Sequence, residues 1–547
     1  MCTAYEYECS YDDHDDNPAR VLHGSAGSRG AQSNNINIAD SQASTSSRSL
    51  GNQPHIGRVA IDGDSSCANT PGSVAGIFDV HKSRYAGASA SMAFPHILGR
   101  SLGSDSLPKM PSFAYNFGIR PEEAAGSHQL LGQLISEEHL SFYSEVFFAA
   151  MAPIADLIDH AIYKRRCREY YSDSGHTAIA FGAVAAGVAA LGSFLSPDRC
   201  PQESELVQYA KAILDDPASM RMLSIDHIIA GAFGGFYLRA TARPNVAWIA
   251  TCTTMHLCEA IGLHEEENIQ KIASVPGAIA LGHDIERLRK VFWISWAGHT
   301  MLSYEYDRSP VQFRAVTTEA IASTEGSVSD QFLKIVQMIP SPNSPFFLEP
   351  QPATPREELF ERIRALDRLQ LQPPFLVLTK TDLIFCFYRR VYQLRAGISD
   401  EIMHIVIKNG SDAIKSAEQL ANQGRLFWNV IGSVFQYACV LLALDTAAAS
   451  SRIASAFKSL ETLANAANTR LTRETLSMAK HLLSLHLAKK RKELAELEAV
   501  EKSCLSVEME QTPPSNSNRQ DFDWGVDWDQ FLIEPYLSTL GPEAQLW

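Results

Sequence analysis

The stretch from Ala242 to Glu267, ARPNVAWIATCTTMHLCEAIGLHEEE, reads as one helix with both ends marked. Pro244 suits the first helical turn, where its missing N–H costs nothing. Val246, Ile249, Ala250, Thr253, Leu257, Ala260 and Ile261 recur at helical spacing and predict an apolar face. Gly262 fits the left-handed position just past a helix end, with Leu263 folding back onto the last turn. The same stretch holds Trp248, two cysteines and two histidines, so it is the natural place to look for a metal or catalytic site. Cys252 and Cys258 are six apart, about 240° around a helix, and point to different faces. His256 and His264 are eight apart, with the Gly262 break between them. No metal-ligand spacing results. The residues read as core thiols, which behave as small hydrophobes, and as surface or hydrogen-bonded histidines.

Other chemical signatures are also missing. The sequence has no phosphate-binding G-x-x-x-x-G-K-[ST] loop, no G-x-S-x-G elbow and no H-E-x-x-H pair. GAFGGF, Gly231 to Phe236, lacks the preceding strand and the full spacing of a dinucleotide loop. Acidic residues are abundant, but one sequence does not pair them in space. No catalytic, cofactor-binding or metal-ligating residue is assigned, no cofactor is expected, and the chain is read as a non-enzyme.

Working outward, helical patterns dominate and no run of alternating strands stands out, so the expected fold is all-α. Ser136 is placed to cap a helix whose first turn carries Glu137 and Glu138, followed by Leu140, Tyr143, Val146, Phe147 and Met151. Arg356 to Gln370 repeats the pattern through Leu359, Ile363, Leu366 and Leu369. Pro340 to Pro355 is too rich in proline for helix and reads as a loop. Thr177 to Leu195 is uncharged for its whole length, long enough to span a bilayer. It is mostly Ala and Gly and lacks flanking aromatic belts, so a core helix is preferred and no membrane is expected. Leu471 to Ser503 carries a stripe of Leu476, Leu483, Leu487, Leu494 and Leu497, interrupted by Lys480, Lys490 and Glu501. It is either a helix packed on its own domain or one that pairs with a partner. Lys489 to Lys492, KKRK, reads as a solvated helix face or a nuclear import signal.

Composition bounds the rest. Of 547 residues, 45% are hydrophobic and 20% charged, ordinary for a globular chain. The formal net charge of −15 argues against a nucleic-acid-coating role, which needs clustered Lys and Arg. The ten cysteines are scattered, the pattern expected of a reducing, intracellular compartment. The first residues are acidic and lack the apolar core of a secretory signal. Residues 1–112 are rich in Ser, Gly, Asn and Gln and are expected to be disordered, residues 113–505 to form the helical domain, and residues 506–547 a linker and acidic-aromatic tail. In that tail Trp524, Trp528, Phe531 and Tyr536 alternate with Asp521, Asp523, Asp527 and Asp529. It reads as an activation segment that folds on a partner groove, or as a tail packed back on the domain.

The opening stretch resembles the regulatory domain of fungal zinc-cluster transcription factors, the fungal-specific transcription factor domain. Trp248, Ile261, Gly262, Leu263 and His264 stand where that family carries a Trp and a Leu-Gly-Leu-His-like end. Glu286, Arg287, Arg289, Phe292, Trp293, Ser303, Arg308 and Pro310 match the following motif in order. His299 replaces the usual Asp, and Asp307-Arg308-Ser309-Pro310 replaces a compact Gly-Arg-Pro. GVAALGSFLS, SEVFFAAMAPIADLID and DLIFCFYRRVYQLRAG resemble further helices, so the likeness covers about residues 135–450. The family's zinc cluster needs C-x2-C-x6-C half-sites. Here only Cys2 and Cys9 have the x6 gap, around the acidic TAYEYE, and no C-x2-C occurs. The resemblance implies a large all-helical regulatory domain in a nuclear transcription regulator of a pathway or gene cluster, such as secondary metabolism. It would reach DNA only indirectly, through a DNA-binding transcription factor, and would engage coactivators, a homo- or heterodimer partner and a small-molecule effector. The alternatives are a helical scaffold or inhibitory partner of a transcription factor, and a small-molecule-binding protein or enzyme with an unrecognised site.

Overall fold

The computed structural model describes residues 77–79, 84–86, 90, 98, 130–172, 178–324, 326–341, 354–395 and 397–506. The Ser-rich N-terminal tract, most of the Pro340–Pro355 segment and the acidic-aromatic tail lie outside the described residues.

The protein is all-α, with eighteen helices among the described residues. The first eleven are α1 (Leu131–Leu134), α2 (Glu137–Ala150), α3 (His160–Ser172), α4 (Ile179–Leu195), α5 (Glu203–Asp215), α6 (Pro217–Met220), α7 (Ile225–Thr241), α8 (Pro244–Ile261), α9 (Glu266–Ala273), α10 (Ala278–Leu281) and α11 (Ile285–Glu305). Then come α12 (Val328–Val336), α13 (Pro355–Arg368), α14 (Pro374–Gln393), α15 (Asp400–Asn422), α16 (Trp428–Leu444), α17 (Ala447–Ala467) and α18 (Arg470–Ser506). One hydrophobic cluster runs from Leu131 to Ala479.

Local chemistry sets the ends. Ser136 accepts a hydrogen bond from the His139 N–H at 3.3 Å, and Thr354 caps α13 through the Glu357 N–H at 3.2 Å. The helix over Ala242–Gly262 begins at Pro244 and ends in a Schellman motif. Gly262 has φ 87°, its N–H bonds to the Glu259 carbonyl at 2.9 Å, and the Leu263 N–H bonds to that of Cys258 at 2.9 Å. The phase of its apolar face differs from the sequence expectation. Ile249 and Thr253 face solvent, while Ala247, Thr254, Met255, Leu257, Cys258 and Ile261 are buried. The reason is that α8 is covered on two sides, by α7 and by α11. Small Ala247 and Thr254 sit where backbones come close: a Cβ on Gly231 would lie 2.8 Å from the Thr254 hydroxyl.

The Ala/Gly-rich segment forms α4, buried on every side by α2, α5 and α7. A Cβ on Gly192 would overlap the Tyr143 carbonyl oxygen, so glycine sets the approach of α4 to α2. Among the described residues no single helix is long and apolar enough to cross a membrane. The α8–α9 pair approaches that length only across a 74° bend, and it carries Glu266 in an ion pair.

The second half stacks α13 to α17 as neighbouring helices, and α14 joins them to α11 and α12. α18 leaves this stack along α16 and α17. One element departs from the all-helix pattern. β1 (Ile77–Asp79) and β2 (Arg84–Ala86) form an antiparallel hairpin with Phe78 opposite Tyr85. It falls inside the region that composition assigned to disorder, where three-residue strands leave no periodic trace. Tyr85 donates to the Glu265 carboxylate at 2.5 Å and sets its ring edge-on to His264 at 5.0 Å, just past the Schellman turn.

Candidate effector cleft

The residues that carried the family likeness converge on the α8–α11 contact. The Trp248 indole N–H donates to Ser303 Oγ at 3.1 Å, and the Arg308 guanidinium sits 4.9 Å over the Trp248 ring. His299, 1% exposed, accepts from the Val311 N–H at 2.8 Å through Nε2. Its Nδ1 is therefore the protonated nitrogen and donates to Thr251 Oγ1 at 3.1 Å. Burial pushes the His299 pKa down to about 4, so the ring is neutral at pH 7. Arg289 reaches Glu266 at 2.5 Å and also Glu319, while Arg287 and Lys290 reach Asp156 at 2.5 and 2.6 Å. Glu286 accepts from the Ala322 N–H at 2.9 Å, and Trp293 donates to the Glu319 carbonyl at 2.8 Å. The Glu319 and Ala322 contacts pin the connection after α11 to α9 and α11, and Asp156 ties the α2–α3 connection to α11, a structural task.

The histidines and cysteines of the opening stretch lie apart, and His264 departs from the expectation of a surface or hydrogen-bonded histidine. Cys258 is fully buried and Cys252 partly so, His256 is exposed and His264 buried. His264 stacks on Phe313 at 5.4 Å, and its Nδ1 has no hydrogen-bond partner. Among the described residues no group of three His, Cys, Asp or Glu side chains is placed to hold a metal ion. The six described cysteines are free thiols.

What the sequence did not reveal is a cleft between α7, α8, α11, α12, α14 and α16, with a cavity of about 60 Å³. Its walls are mainly apolar, including Phe236, Ile294, Met301, Phe332, Phe375 and Trp428. Besides Thr251, Thr254 and Thr379, the side chains of Arg239, Glu305, Asp382 and Ser295 break the apolar lining. Arg239, from the last turn of α7, places one nitrogen 2.8 and 2.9 Å from the two Glu305 oxygens and stacks 5.0 Å from the Trp428 ring. Asp382 accepts from Ser433 Oγ at 2.5 Å. Burial, reinforced by the Glu305 charge, pushes its pKa up to about 8, so it is a neutral acid at pH 7 with a proton to donate. Ser295 is 7% exposed, and its hydroxyl has no hydrogen-bond partner. Such an orphaned hydroxyl costs about 1–3 kcal/mol, offset when something in the cleft bonds to it. The lining threonines Thr254 and Thr379 spend their protons on the carbonyls of Ala250 and Phe375.

Apolar walls broken by a few hydrogen-bonding groups suit the binding of a small molecule. A cavity near 150 Å³ holds benzene, so this one takes only a compact molecule unless its walls shift. The only signals in the sequence were polar residues on apolar helical runs: Ser295 in VFWISWAG and Asp382 in LVLTKTDLIFCF. Each is also the pattern of a satisfied core residue, which is why spacing alone assigned no site.

The chain is 36% identical to Protein RDR1 of Saccharomyces cerevisiae over 426 residues, 77% of this chain and 76% of that protein. It is 29% identical to Transcription factor kojR of Aspergillus oryzae over 74% of this chain and 72% of that one. A Probable transcriptional repressor of Schizosaccharomyces pombe is 23% identical over 42% of this chain and half of that protein.

The chain belongs to a family of fungal transcription regulators.

No family model matches it, and no solved structure does. Two of these relatives carry the names of a transcription factor and of a probable transcriptional repressor.

Proposed function

We propose that the chain regulates transcription of a pathway or gene cluster in the nucleus and reaches promoters through a DNA-binding partner. In this reading residues 113–505 are the regulatory domain of the fungal zinc-cluster type, and Asp521–Trp547 engages a coactivator. The observation that carries it is the length of the likeness to a named transcription factor, which spans 74% of the chain rather than one motif. The partner route is supported by the sequence, which offers no C-x2-C half-site and a net charge of −15. Chromatin immunoprecipitation of the tagged chain tests it: occupancy should vanish when the partner is deleted. The purified chain should also carry well under one zinc, against roughly two for an intact zinc cluster. Two tightly bound zinc ions, or specific binding of the isolated chain to a short CGG-containing duplex at physiological salt, would reverse this reading.

The cleft supplies an input to that regulation. We propose that it takes a compact, neutral effector whose hydrogen-bonding end meets Ser295 and the neutral Asp382, while its apolar part lies against Phe332, Phe375 and Trp428. An effector of this class should raise the melting temperature of the wild-type protein, and Ser295→Ala should weaken that shift without lowering basal stability. An unchanged shift in the variant would remove the cleft from the account.

A further inference from the structure

We propose that α14 carries, on the face turned away from the cleft, a site for a monocarboxylate with a short apolar chain. Phe375, Thr379 and Asp382 of α14 line the cleft. Val377 and Lys380 lie on the opposite face by helical spacing, and there they line a separate cavity of about 240 Å³. The α13–α14 connection closes one side of it through Leu369 and Leu371, and α15 closes the other through Asp412 and Ser416. If about 150 Å³ holds benzene, this volume has room for about ten non-hydrogen atoms.

Lys380 is the reason to place an anion there. Its side chain is only 9% exposed, and it spends one of three N–H donors on the Leu369 carbonyl at a long 3.3 Å. Among the described residues no carboxylate lies within ion-pair distance of it. The neighbouring acids are already taken. Asp367 accepts from Lys408 and from Asn409, each at 2.9 Å, and Asp412 pairs with Lys415 at 3.2 Å. Those two pairs cancel, and the Lys380 charge remains. Buried charges in folded proteins are paired, so one negative charge from outside the chain completes this site. Burial pushes the Lys380 pKa down, a direction that a bound carboxylate reverses. The Ser416 hydroxyl, on a residue 9% exposed, adds a second polar group, while Leu371 and Val377 offer apolar wall to a short chain. A single surplus positive charge selects a monoanion, and the apolar wall selects against a bare inorganic ion. This inference rests neither on the regulator reading nor on the cleft.

Calorimetric titration of the full chain with hexanoate tests it, with hexan-1-ol, hexylammonium and inorganic phosphate as controls. Hexanoate alone should bind and raise the melting temperature. Lys380→Met keeps the length and removes the charge. It should abolish binding and melt at or above wild type without ligand, because an unpaired buried charge is gone. Ser416→Ala should weaken binding about fivefold, and Asp412→Asn, which removes negative charge from the rim, should tighten it. A chain indifferent to hexanoate up to roughly 10 mM overturns the proposal. Equal binding of hexan-1-ol removes the role of charge, and equal binding of phosphate removes the carboxylate class; either result overturns it. A Lys380→Met protein that melts well below wild type would mean that the Leu369 bond already satisfies the ammonium, which also overturns it. Binding that survives Lys380→Met but falls with Ser295→Ala puts hexanoate in the cleft, and this site is then ruled out while the regulator reading is untouched.

Discussion

Two buried titratable side chains tilt stability in opposite directions with pH. His299 has a folded pKa of about 4, well below its unfolded value near 6.5. The unfolded chain therefore binds the proton first as the solution is acidified, and stability falls between about pH 6.5 and 4. Urea unfolding should show wild type losing about 2 kcal/mol from this group between pH 7 and 5, a loss that His299→Gln reduces. A slope unchanged in the variant would clear His299 of that role. Asp382 works the other way. Its folded pKa of about 8 lies far above the unfolded carboxylate value, so stability present in acid is lost as pH rises toward 8. Asp382→Asn keeps an acceptor for Ser433 and removes the ionisation. It should flatten that decline and stabilise the protein at pH 8 on the order of 5 kcal/mol. An equal or lower midpoint at pH 8 would mean that Asp382 ionises freely in the cleft.

At the scale of single elements, glycine geometry makes the sharpest predictions. Gly262 combines φ 87° with crowding: a Cβ there would lie 2.7 Å from Asn268 Nδ2 and 3.1 Å from Tyr85 Cβ. Gly262→Val should cost about 2–3 kcal/mol, the strain of a β-branched residue at positive φ plus the displaced neighbours. Gly192→Ala should cost at least as much, since its new methyl meets backbone that cannot swing aside. A thermal melt of either variant within a degree or two of wild type would refute the packing described. Element identity and ends were legible wherever capping chemistry stood next to helical spacing, as at Ser136, Pro244 and Gly262. The buried face of α8 was not, because Thr254 and Ala247 are chosen for close approach to α7 and not for apolarity. The cleft was illegible for a related reason. Arg239, Ser295, Glu305, Asp382 and Trp428 come from four helices, and each is unremarkable in its own. Their meaning lies in long-range packing that no local pattern encodes.

For the whole molecule, the proposed coactivator contact belongs to Asp521–Trp547. Residues Asp521–Trp547 fused to an unrelated DNA-binding domain should activate a reporter. Replacing Trp524, Trp528 and Phe531 by Ala should abolish that activity, since each buried ring contributes roughly 1.5–3 kcal/mol before ordering costs. Replacing Asp521, Asp523 and Asp527 by Asn should only reduce it, because the acids act mainly on solubility and encounter rate. A silent fusion would leave the segment without an activating role.

The Tyr85 hairpin changes how the chain can be shortened. A truncation begun at residue 113, the boundary that composition suggests, removes Tyr85, which sets its ring against His264 and donates to Glu265. Held on the same chain, that hairpin docks as a tethered ligand at an effective concentration on the order of millimolar. Supplied as a separate peptide it must first pay the full entropy of association, so rescue in trans should need roughly millimolar peptide. A phenotype of the shortened chain is then a vacated docking site on the regulatory core, and it tells nothing about activity in the residues upstream of the hairpin.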